Sequence, residues 1–127
     1  MKMTMGSSLL GFTLMLCAVS VLAESRVVEV WQCKLKEGKT AAEVQAANRK
    51  WLEFVNSKVK GGGVQSYQMT AIVGHVEGFV FADSYPSMDA WVAAKAALKT
   101  PEGEATEAAI AAYGECTSNT LYNSEEA

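Results

Sequence analysis

The chain alternates between two hydrophobic rhythms. Residues 27–36, VVEVWQCKLK, are β-branched and aromatic with no breaker, the pattern of a strand. Gly38 ends it, and Thr40 with Glu43 three residues later forms a capping-box signature. A helix is expected from about Ala41 to Lys58, its apolar stripe running through Val44, Ala47, Trp51, Phe54 or Val55, and Val59. Gly61, Gly62 and Gly63 stop it. Residues 64–73, VQSYQMTAIV, read as a second strand, 74–78 as a hairpin tip, and 79–84, FVFADS, as a third strand. Ser87 then caps a second helix carrying Met88, Trp91, Val92 and Leu98. Thr100-Pro101 restarts helical structure in an alanine-rich stretch that Gly114 closes. Residues 115–122, ECTSNTLY, form a fourth strand, and the polar tail from Asn123 is expected to fray.

The resulting order, β-α-β-β-α-(α)-β, is the split βαβ arrangement: an α+β, ferredoxin-like fold with a four-stranded antiparallel sheet and its helices on one face. Strand four then lies antiparallel beside strand one.

The first 23 residues stand apart from this pattern. Lys2 is their only charge, an apolar run follows from Leu9 to Leu22, and Val21-Leu22-Ala23 is a small-residue cleavage site of the A-x-A type. Residues 1–23 are therefore read as a signal peptide and 24–127 as a single domain, exported to the periplasm or secreted. The run is short for a membrane span, which needs about 20 residues. Cys17 follows Leu16 rather than a small residue, so it is placed inside the discarded segment and not at a lipid anchor. No membrane association is expected after cleavage.

Removing that segment leaves 104 residues with a net charge of −4 and two cysteines, Cys33 and Cys116. An even pair in an oxidising compartment points to a disulfide; two buried free thiols are the alternative. The topology supports the bridge. Cys33 lies near the end of strand one and Cys116 near the start of strand four, and antiparallel neighbours bring those ends together.

Both faces of the sheet are apolar. In strand three, Phe79 and Phe81 oppose Val80 and Ala82; in strand one, Val28 and Val30 oppose Val27, Trp31 and Leu35. Tyr67, Met69, Ala71 and Val73 share one face of strand two. Helices cover only one side of such a sheet, so a second copy of the chain is expected to cover the other, giving a homodimer through the helix-free face. Cover by the chain's own C-terminal segment is the alternative.

The strand order, the aromatic residue at the centre of strand one and the run FVFADSYPSMDAWVAAKA from Phe79 to Ala96 resemble the dimeric α+β barrel superfamily. Within it, the chain is similar to small antibiotic-biosynthesis-monooxygenase-like and NIPSNAP-like domains, in which a Ser-x-x-Ala-Trp helix follows the third strand, as Ser87 to Trp91 does here. The resemblance implies this fold. It leaves activity open, since such domains include cofactor-free oxygenases, haem-handling enzymes and isomerases.

Five residues are pocket candidates. Asn48 lies on or beside the apolar stripe of the first helix, three residues before Trp51, where an amide could hold a carbonyl or an oxygen species; the alternative is a bond to the backbone or to water. Asp83, Tyr85 and Tyr67 could line one end of the sheet, and Tyr67 approaches Asn48 and Trp51 if its face of strand two meets the first helix; core aromatic packing with the hydroxyl at the rim is the alternative. Trp91 and Trp51 are large rings that would line a cavity between sheet and helices, or simply fill the core. His75, the only histidine, falls at the hairpin tip, where it is solvated or sits at a pocket mouth. One histidine does not build a catalytic zinc site without added carboxylates or cysteines, and no metal is expected. No cofactor is expected either: Gly61 to Gly63 follow a helix and lack the phosphate-loop ending, and there is no CxxC and no G-x-S-x-G. The acidic balance and the lack of a basic face exclude nucleic acid as a partner.

A structural or interaction protein that uses the second sheet face for a different partner is one reading, and two further functions of different class fit. One is a non-catalytic module binding a small apolar or aromatic molecule between sheet and helices. The other is a cofactor-free monooxygenase or isomerase acting on an aromatic or quinol-like substrate, with Asn48 and Trp51 orienting reactants and Tyr67 or His75 moving a proton.

Overall fold

The structure, a computed structural model, describes residues 25–74 and 77–127. Seven elements follow in chain order: β1 (Arg26–Leu35), α1 (Ala41–Lys58), β2 (Gln65–Met69), β3 (Phe79–Tyr85), α2 (Met88–Leu98), α3 (Pro101–Ala111) and β4 (Gly114–Ser124). The four strands form one antiparallel sheet in the order β2-β3-β1-β4, the ferredoxin-like topology expected from the sequence. The expected signal peptide lies outside the described residues, and so does His75.

The helix starts follow the cap chemistry. Thr40 accepts from the Glu43 amide while the Glu43 carboxylate accepts from the Thr40 amide, a complete capping box. The Ser87 side chain accepts from the amide of Ala90, and that of Thr100 from Gly103 with Pro101 in the first turn. Gly103 also lets α3 start against the end of α2, because a Cβ there would overlap the Ala97 carbonyl and Leu98.

Two strand boundaries differ from expectation. β2 ends at Met69 rather than Val73. Met69 pairs with Val80, almost at the start of β3, so the residues beyond it have no ladder to join. Ile72 is 97% exposed there. β4 runs to Ser124 instead of fraying after Tyr122, because β1 offers partners down to Arg26: Asn123 pairs with Val27 and Ser124 with Arg26.

The register fixes the two faces of the sheet. Val27, Glu29, Trp31 and Cys33 of β1 stand beside Tyr85, Asp83, Phe81 and Phe79 of β3, and these side chains point to the helices. The main core joins Val27 and Tyr85 to Trp51, Phe54, Val55, Ala90, Ala94 and Leu98 from α1 and α2. A smaller cluster gathers Cys33, Val44, Phe79 and Phe81 at the other end. Phe79 and Phe81 meet edge to face with ring centres 5.2 Å apart.

Cys33 pairs with Cys116 across β1 and β4, with Cα atoms 3.9 Å apart and the sulfurs at bonding distance. The register slips by one residue just before it. A bridge closing 83 residues of chain stabilises the fold by about 4–5 kcal/mol in the loop-entropy description.

The opposite face carries Val28, Val30, Val80 and Ala82 at its centre, with Tyr67, Met69 and Tyr122 around them. None of the three helices covers it, and Tyr67 and Tyr122 are each 52% exposed.

Candidate functional site

Between the helices and the covered face of the sheet lies a cavity of about 260 Å³. Trp31 and Phe81 form its floor from β1 and β3, Trp51 and Asn48 enter from α1, and Ile110 and Ala111 close it from α3. Gly114 and Cys116 border it at the start of β4. Its polar side is made by Asn48, Asp83, Lys95 and Glu107.

These polar groups form two chains of contacts. In the first, Asn48 Nδ2 donates to Ser66 Oγ at 2.8 Å, and Ser66 Oγ donates to Asp83 Oδ1 at 2.5 Å. Asn48 is 8% exposed and Asp83 6%. Burial pushes the Asp83 carboxyl up to about 6; the Ser66 hydroxyl opposes this, while Glu29 next to it on β1 adds to it.

The second centres on Glu29, which is 1% exposed. Lys95 Nζ of α2 lies 2.6 Å from Glu29 Oε2. Trp91 Nε1 donates to the same oxygen at 3.3 Å, and Asn119 Nδ2 of β4 donates to Oε1 at 2.9 Å. The Lys95 ammonium also sits 5.3 Å from the centre of the Trp31 ring and 5.9 Å from that of Trp91. A buried carboxylate is tolerated here because a cation and two donors meet it. Tyr85, two residues after Asp83 on β3, is fully buried, and its hydroxyl has no hydrogen-bond partner among the described residues. Burial and the nearby Asp83, Glu29 and Glu107 hold that hydroxyl protonated far above the usual phenol range. Glu107 stands at the rim of the cavity, where partial loss of water raises its carboxyl.

The structure brings two of the five expected pocket residues into the cavity, Asn48 and Trp51. Trp91 stands one layer behind, linked to the wall through Glu29 and Lys95. Tyr67 does not approach Asn48 and Trp51. Its face of β2 is the helix-free one, and the neighbouring Ser66 points to Asn48 instead. The single-residue alternation of a strand decides this, and the mixed polarity of β2 hid it.

Four residues of the polar side and of the contacts behind it were not among the expected candidates: Lys95 and Glu107 at the cavity, Glu29 and Ser66 behind it. A signal for Glu29 was present. It interrupts the apolar inward set Val27, Trp31 and Cys33, and a charge at an inward position demands a partner. Lys95 stands four residues after Trp91, one helical turn on, and so on the same face of α2.

No protein-family profile matches the chain, and no curated protein matches it. Among solved structures it is similar to SnoaB, a cofactor-independent oxygenase from Streptomyces nogalater, with a TM-score of 0.59 and 14% identity. That match covers 81% of this chain and 96% of SnoaB. A dimeric ferredoxin-like protein of unknown function from Thermobifida fusca aligns with a TM-score of 0.49 and 10% identity, over 83% of this chain and 94% of that one. At such identities the likeness is one of fold. The fold is ferredoxin-like, as the order of elements in the sequence led us to expect.

Proposed function

We propose that this ferredoxin-like chain is an exported homodimer that binds one small aromatic or apolar molecule per subunit in the cavity between sheet and helices. The observation that carries the reading is the cavity itself. Trp31, Trp51, Phe81 and Ile110 give it apolar walls, and a few converging polar groups occupy one side. That combination is the usual make-up of a small-molecule site. Its volume suits a one- or two-ring molecule better than a large cofactor.

The dimer rests on the uncovered sheet face. Val28, Val30, Val80 and Ala82 form a continuous apolar strip flanked by Tyr67, Met69 and Tyr122. Two-fold packing of one such face on another buries both and leaves the cavities on the outer, helical sides. Export agrees with Cys33 and Cys116 at bonding distance. No helix among the described residues is long and apolar enough to cross a membrane.

Native mass spectrometry of the protein purified from its own host tests the reading. The expected spectrum is a dimer carrying a small molecule that is released on denaturation. Bare monomer, with no affinity for any small aromatic compound added afterwards, overturns it.

A second reading, a cofactor-free oxygenase or isomerase, is favoured by one observation: the Asn48–Ser66–Asp83 chain ends at a carboxylate that bounds the cavity. In this reading Asp83 accepts a proton from a bound substrate and Asn48 orients it. SnoaB's description as a cofactor-independent oxygenase is in keeping with it. Aerobic turnover of an aromatic substrate that falls by about 100-fold in Asn48→Ala would support it. Turnover that this substitution leaves intact would remove Asn48 from the site.

A further inference from the structure

We infer that the cavity selects molecules that join an apolar or aromatic body to a protonated amine, with the ammonium against Asp83 and the body between Trp31, Trp51 and Phe81. This rests on the reading that the cavity binds a small molecule, and names the chemical class it takes.

Among the described residues Lys95 is the one cation bordering the cavity, and it is committed: its ammonium lies 2.6 Å from Glu29. The other Glu29 oxygen accepts from Asn119. Glu29 and Lys95 thus neutralise each other. Asp83 and Glu107 remain, and neither forms an ion pair among the described residues. Among the described residues, the two cavity carboxylates are thus left without an ion-pair partner, and Lys95 acts on them only at longer range.

That lack counts most at Asp83. It is more than nine-tenths buried, and Ser66 serves only its Oδ1. No hydrogen-bond donor among the described residues reaches Oδ2, and the side chain borders the cavity. A carboxylate held out of water with one oxygen open is costly, and an arriving ammonium supplies both the missing charge and the missing donors. Trp31, Trp51 and Phe81 offer the body of such a molecule apolar ring surface. An anionic ligand would meet Asp83 and Glu107 with nothing left to pair it, since Lys95 is taken. A neutral aromatic molecule would gain the walls but leave Asp83 as it is.

Three probes of matched shape test the inference on the full purified protein at pH 7.5: 2-phenylethylamine, 2-phenylethanol and phenylacetate, followed by calorimetry or tryptophan fluorescence. The amine is expected to bind about tenfold or more tighter than the alcohol, and phenylacetate more weakly than either. In Asp83→Asn the preference for the amine over the alcohol falls to about one. In Glu107→Gln, at the rim, the preference drops by a smaller factor. Alcohol binding equal to or tighter than amine binding overturns the inference and leaves the apolar-pocket reading standing. An undiminished amine preference in a folded Asp83→Asn protein also overturns it. Binding of none of the three probes at millimolar concentration overturns the pocket reading and the inference together.

Discussion

On the helix-covered face of the sheet, the central cross-strand pair is Glu29 opposite Asp83, two carboxylates. One residue along, on the open face, it is Val30 opposite Ala82. Burial and polarity are thus inverted at the middle of the same two strands. The covered carboxylates are 1% and 6% exposed, whereas the apolar pair is only half-buried. Each arrangement is costly as it stands, for opposite reasons. Charge under cover needs a partner, which Glu29 has in Lys95 and Asp83 lacks. Apolar surface in the open needs a cover. On the proposed function the two faces of one sheet thus serve different partners, a ligand on one side and a second copy of the chain on the other.

The largest expected effect comes from breaking the open face. Val30→Lys places a charge at the centre of the apolar strip, and two-fold symmetry places two in one interface. Dimerisation should weaken by on the order of a thousandfold or more, since each buried, unpaired ammonium costs several kcal/mol. Sedimentation velocity should find the parent chain as a dimer and the variant as a folded monomer. A parent chain that is monomeric at high micromolar concentration removes the need for cover on that face.

On the covered face, Glu29→Ala should cost about 3–5 kcal/mol in chemical denaturation, because Lys95, Trp91 and Asn119 all lose their acceptor. Glu29→Gln keeps an acceptor and loses only the charge, so it should cost clearly less. Equal costs for the two would mean that the negative charge facing Lys95, and not side-chain volume or the retained acceptor, is what Glu29 contributes.

These two faces were not equally legible in the sequence. The open face was readable because a strand alternates with a period of exactly two. Val28, Val30, Val80 and Ala82 fall together on one side whatever the details of packing. The element order, the three helix caps and the pairing of Cys33 with Cys116 were readable for similar reasons, since each depends on local spacing or on the sense of neighbouring strands. The covered face was only half readable. Asn48 and Trp51 could be placed on one stripe of α1, but the group that meets Asn48 is set by how α1 crosses β2, a tertiary angle that no local pattern encodes. Tyr67 drew attention as an aromatic, while the smaller Ser66 beside it holds the inward position. Glu29 and Lys95 come from β1 and α2, 66 positions apart, and each looks like an ordinary surface charge until the two are brought together.

The smallest effect isolates the one charge that the covered face leaves uncompensated. Burial raises the Asp83 carboxyl from 3.8 to about 6, so the folded protein holds the proton more tightly than the unfolded chain does. Below the unfolded value both states are protonated, and the neutral acid's contribution is fully present. As pH rises through the folded value that contribution is lost, because the native state must then keep an ionised carboxylate out of water. The loss from this residue is at most about 3 kcal/mol. Asp83→Asn retains an acceptor for the Ser66 hydroxyl and carries no charge at any pH. Denaturation curves of the two proteins should therefore agree near pH 4. They should separate as pH rises through 6, with the asparagine variant the more stable by about 1–3 kcal/mol at pH 7.5. Glu107 titrates in both proteins, so its contribution largely cancels in the difference. Saturating the parent chain with an amine ligand should close the same gap, since an ammionium-type partner at Asp83 supplies the counter-charge that the substitution makes unnecessary. A difference that stays flat from pH 4 to 7.5 would mean that Asp83 ionises as it does in water, and the covered face would then hold no charge in want of a partner.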